Sequence, residues 1–194
     1  MKEQRLFPFL VLALLLACRA VGVPGQPRAS LVGYDFDGQS PQVPTGDRSA
    51  PGHVFIHKYP FTAGGYVTGL SYLNDSDGGS ESFVLLILRP QDDGWLVVHY
   101  LDIAGDDEPQ AKTGVTTIDF PTPLRVEKGD IFGHWQFDYT GPIPMNLEDS
   151  AIEGLSFGKS GFIPSDVHPG SVIAREGFSG GRDYFINLSF QSEP

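Results

Sequence analysis

The run Asn74-Asp75-Ser76-Asp77-Gly78-Gly79-Ser80-Glu81 gathers three carboxylates, those of Asp75, Asp77 and Glu81, around a tight glycine turn. Hard oxygen donors at such spacing suit calcium, so these three are the candidate metal ligands and calcium the one candidate cofactor. The set is one early carboxylate short of a full calcium loop, so a solvated hairpin tip is the preferred reading. The neighbouring runs Asp92-Asp93 and Asp106-Asp107-Glu108 could add charge at the same end of the molecule. A second chemistry is stacking. Tyr66, Tyr72, Trp95, Tyr100 and Tyr139 are the candidate ligand-binding residues, because an aromatic ring with a polar tip at a wet surface can hold the face of a sugar ring.

Histidine spacing offers less. His53 and His57 fall on one face of a candidate strand, but four residues of strand rise separate them by about 13 Å, too far to share a metal. His99 and His134 belong to other strands and could meet across a sheet. Gly154-Leu155-Ser156-Phe157-Gly158 fits the G-x-S-x-G nucleophile motif, with Asp166 and His168 following in order. The context opposes catalysis: Lys159 to Pro164 cannot open the helix that a nucleophile elbow requires, so a glycine-flanked strand is expected instead. No catalytic residue is assigned.

The elements that must position these residues are strands. Apolar, β-branched and aromatic runs recur at Leu31 to Phe36, Val54 to Tyr59, Tyr66 to Leu73, Phe83 to Leu88, Trp95 to Ile103, Val115 to Phe120, Ile131 to Phe137, Ile152 to Phe157, Val172 to Ala174 and Tyr184 to Phe190. Turn residues separate them, and no window keeps a 3.6-residue apolar period. About ten short strands predict an all-β antiparallel sandwich. Phe83 to Leu88 is apolar on both faces and reads as a central strand. In Ile131 to Asp138, Trp135 shares the core face with Ile131, while Phe132, His134 and Gln136 lie on the other. Tyr184, Ile186, Leu188 and Phe190 point inward and Asn187 outward.

Thr122 to Trp135, TPLRVEKGDIFGHW, runs strand, Lys-Gly-Asp turn, strand. This resembles a pattern of extracellular jelly-roll modules. The resemblance implies a jelly-roll-like sandwich and transfers no binding or catalytic residue.

Composition bounds the rest. The chain has 194 residues with 13 Lys+Arg against 24 Asp+Glu, a formal net charge of −11. Such an acidic balance repels phosphate backbones, so nucleic acid is excluded as a partner. With 24 Gly and 16 Pro but no G-X-Y period, the fold is turn-rich and not collagenous. Lys2 and Arg5 precede an apolar run from Leu6 to Ala17, which fits a secretory signal and is too short to span a bilayer. Residues 1–17 are read as signal peptide, 18–30 as tether and 31–194 as one sandwich domain. Leu15-Leu16-Ala17-Cys18 resembles the lipobox of bacterial lipoproteins, which implies lipidation of Cys18 and a membrane contact through that lipid alone. Cleavage after Ala20, removing 1–20, is the alternative and gives a secreted protein. Neither leaves a cysteine for an intramolecular disulfide.

The expected function is an exported, non-enzymatic binding module for a glycan or extracellular matrix component. The alternatives are a small exported hydrolase acting on glycosides or esters, and a structural envelope or matrix protein.

Overall fold

The computed structural model describes residues 29–37, 53–73, 82–103, 115–136, 143, 155–160, 166–176, 179–180 and 183–193. Cys18, Asp75, Asp77, Glu81 and Tyr139 lie outside them. The elements are β1 (Ala29–Gly33), β2 (His53–His57), β3 (Gly65–Leu73), β4 (Phe83–Pro90), β5 (Gly94–Ile103), β6 (Val115–Val126), β7 (Ile131–Gln136), β8 (Leu155–Ser160), β9 (Val172–Ala174), β10 (Ser179–Gly180) and β11 (Ile186–Ser192). The described residues contain no α-helix. Among the described residues all pairings are antiparallel and form two sheets, ordered β1-β11-β3-β6 and β10-β8-β2-β7-β4-β5-β9. The fold is therefore all-β with the two-sheet arrangement of a sandwich.

One buried cluster joins the sheets. Val67, Leu70 and Tyr72 of β3 and Ile186, Leu188 and Phe190 of β11 meet Phe55 of β2, Phe83, Leu85 and Ile87 of β4 and Phe132 of β7. Strict alternation would not turn both Val67 and Leu70 inward. Thr68 is the extra residue of a bulge on β3, which shifts register against both neighbours and resets the inward face.

A second cluster covers the opposite face of the larger sheet. It contains Val54, Ile56, Val84, Leu86, Leu88, Trp95, Val97, Ile131, Trp135, Val167 and Ile173. β4 is thus flanked by β5 and β7 and apolar on both faces, as its sequence predicts. β7 differs from the expectation. Its Trp135 face is core, but the Phe132 and His134 face is buried too and looks toward the other sheet. The reason is position: β7 lies between β2 and β4, inside a sheet covered on both sides.

β1 ends at Gly33, whose φ of 129° suits glycine alone; a side chain there would also meet the Ile186 carbonyl. The chain then drops Phe36 onto Leu73 and Phe185 and seals one end of the smaller sheet. β6 runs through Pro121 and Pro123 because it is an edge strand. Its pairing with β3 skips from Asp119 to Leu124, so the residues without N–H groups face no ladder partner.

Candidate functional site

The inward alternation of Ile186, Leu188 and Phe190 forces the residues between them outward, and the register continues this across all four strands of the smaller sheet. Three rungs result: Ala29–Gln191–Tyr66–Arg125, Leu31–Ser189–Gly69–Asp119 and Gly33–Asn187–Ser71–Thr117. Their outer side carries hydroxyls (Ser71, Thr117, Ser189), the exposed amide of Gln191, the buried amide of Asn187, one carboxylate (Asp119) and one guanidinium (Arg125). Glycines at 33 and 69 keep it low between the side chains. Ser71 and Thr117 hydroxyls hydrogen-bond across the strands at 2.9 Å. Arg125 reaches Glu193 at 3.7 Å in an exposed pair that contributes little to stability. Two apolar groups stand among them, Leu31 at 59% exposure and Tyr66 at 39%. Two shallow grooves, of about 370 and 340 Å³, flank Leu31.

Of the four predicted aromatic residues that are described, this face holds one. Tyr66 presents its ring to solvent. Tyr72, 2% exposed, packs edge-on against Phe83 in the core at 5.5 Å. Its position two residues beyond Leu70 aims it between the sheets. Trp95, 4% exposed, lies in the second cluster beneath the Arg175 guanidinium, 5.2 Å from the ring centre. Tyr100 is half-buried beside that cluster; burial first, then nearby Asp102, raises its hydroxyl pKa. Tyr72, Trp95 and Tyr100 therefore do not join Tyr66 in one platform. Alternation in a strand fixes which residues share a face but not which face stays wet.

The remaining predicted chemistry is dispersed. Ser156 sits within β8, paired to Ile56 on one side and Ser179 on the other, so it occupies no strand-to-helix elbow. Asp166 and His168 are exposed, and His168 Nδ1 lies 3.1 Å from the Pro169 carbonyl. His99 donates from Nε2 to the Arg125 carbonyl at 2.8 Å rather than meeting His134. Among the described residues no group of three or more His, Cys, Asp or Glu is arranged to hold a metal.

A titratable chain that sequence reasoning did not assemble lies between the sheets. His57 Nε2 and His134 Nδ1 are 2.8 Å apart, His57 Nδ1 is 3.2 Å from Asp183 Oδ1, and the Tyr59 hydroxyl donates to Asp183 Oδ2. The Tyr184 amide also donates to Asp183 Oδ1, at 2.8 Å. His57 stacks on Phe132 with ring centres 4.4 Å apart, and His134 on Phe55 at 5.2 Å. Burial, and secondarily the neighbouring His57, pushes the His134 pKa well below its usual value. Burial and the Asp183 carboxylate push the Tyr59 phenol well above its own. His57, His134 and Asp183 expose no surface, so no substrate reaches them; the chain meets solvent through half-buried Tyr59. It is a satisfied polar network inside the core. The sequence signal was the pair His57 and His134 on strands with one apolar face each, but Asp183 falls just before the Tyr184 to Phe190 run and no local spacing ties it to either histidine.

No family model, curated protein or solved structure matches the chain.

Proposed function

We propose that the protein is an exported, non-enzymatic binding module whose ligand face is the outer surface of the β1-β11-β3-β6 sheet, and that its ligand is a neutral glycan. One observation carries the reading: three rungs place hydroxyl, amide, carboxylate and guanidinium groups on one face beside an exposed tyrosine ring. Sugar hydroxyls both donate and accept, and this mixture of groups answers both demands. The Tyr66 ring supplies the apolar plane on which a pyranose stacks. The net charge of −11 opposes sulfated or phosphorylated polymers and leaves uncharged ones favoured.

Screening the purified chain on an immobilised array of neutral and sulfated glycans tests this. Retention of a neutral glycan, with sulfated ones passed over, is the expected result. An empty array together with turnover of chromogenic glycosides or esters would replace the binding reading with a hydrolytic one.

A further inference from the structure

Asn187, on the third rung, is 4% exposed. Its Nδ2 donates to the Tyr34 carbonyl at 3.0 Å, but its Oδ1 has no hydrogen-bond partner. A buried amide oxygen left unpaired is costly, so such an atom points to a group that binds it. Asn187 lines the groove of about 340 Å³ at the Gly33 end of the sheet, together with Asp35, Asp37 and Ser71, between apolar walls that include Leu31 and Val115.

The local chain arranges these oxygens. After Gly33 the backbone stays attached to β11 through the Tyr34 amide, which donates to the Ile186 carbonyl at 3.2 Å. Phe36 is buried while Asp35 and Asp37 on either side of it are exposed and line the same groove. Asp35 Oδ1 accepts from the Asp37 amide at 3.1 Å, which steadies that carboxylate and leaves its second oxygen available. Among the described residues neither lysine nor arginine lines the groove.

We propose that Asp35, Asp37, Asn187 and Ser71 form a site for a hard divalent cation, calcium. Every candidate donor is oxygen, the preference of calcium and magnesium, and neither histidine nor cysteine is present to select a transition metal. The open groove and exposed carboxylate rim suit the flexible coordination of calcium better than the strict octahedron of magnesium. An ion there gives Asn187 Oδ1 its partner and balances both aspartates. The site shares Ser71 and Asn187 with the proposed glycan face but does not rest on that reading, and its donors are not those of the Asp75, Asp77 and Glu81 run.

Terbium luminescence on the metal-stripped full chain tests the site, since Tyr34 is the residue preceding Asp35 and can sensitise the ion. Saturable emission that calcium displaces, and magnesium at equal ionic strength does not, is expected. The double substitution Asp35→Asn, Asp37→Asn should weaken terbium binding at least tenfold; both positions are exposed, so the fold survives. Asn187→Asp should retain binding, and Asp77→Ala should leave it unchanged. Absence of saturable emission, equal displacement by magnesium, or loss of emission in Asp77→Ala but not in the double variant would each overturn the proposal.

Discussion

The imidazole of His134 has no water to share its charge. Burial and His57 hold its pKa below the unfolded value near 6.5, so the folded chain binds fewer protons than the unfolded one as the medium turns acidic. Stability is therefore full above about pH 7 and falls as pH drops through 6.5, by up to about 1.4 kcal/mol per pH unit until the buried ring itself protonates. Urea denaturation at pH 7.5, 6.5 and 5.5 should show this slope. His134→Asn keeps a polar group at the Nδ1 position and should flatten the slope while lowering stability at pH 7.5. Tyr59→Phe removes the hydroxyl donor to Asp183 but leaves its His57 and Tyr184 partners. It should cost about 1–2 kcal/mol in the same assay. At this scale the sequence was least informative. His57 lies 77 residues from His134 and 126 from Asp183, and no local spacing announces a hydrogen bond closed by sheet topology.

The Lys-Gly-Asp turn between β6 and β7 shows what an element can reveal in advance. Gly129 has φ of 92°, the left-handed conformation that a tight turn asks of glycine, and the Asp130 amide closes the turn onto the Glu127 carbonyl at 3.1 Å. What the sequence could not show is that Asp130 is buried and receives Arg89 in a two-pronged hydrogen bond at 2.8 and 3.1 Å. Asp130 Oδ2 also accepts from the Glu127 amide at 2.8 Å. Asp130→Ala strips a buried carboxylate from three donors and should destabilise the chain by about 2–3 kcal/mol in denaturant titration, discounted because Arg89 is partly exposed. Arg89→Ala removes two of those donors and leaves the buried carboxylate with one, so it should cost at least as much as Asp130→Ala. Gly133 is tight for another reason. A Cβ there would approach the Phe55 carbonyl at 2.9 Å and Leu88 Cδ1 at 3.1 Å, so Gly133→Ala should push β7 away from β2 and lower the melting temperature. The strands themselves were legible because turn residues bracket each apolar run. The dry second face of β7 was not, since it depends on what packs over the larger sheet.

For the whole molecule, the two sheets divide the labour. In the seven-stranded sheet β2, β4 and β7 are buried on both faces and hold clusters that stabilise the fold, whereas the four-stranded sheet keeps a polar outer face with Leu31, Tyr66 and Val115 exposed. A ligand surface is expected where a sheet stays wet without being needed for the core. Affinity of the best-retained array glycan for the chain and for Tyr66→Ala, by titration calorimetry, tests this most directly. Tyr66 is exposed, so its loss should leave the melting temperature within a few degrees; removing one stacking ring should weaken binding about tenfold. Unchanged affinity in Tyr66→Ala, with affinity lost instead through Tyr100→Ala on the other sheet, would contradict the placement of the ligand on the four-stranded face.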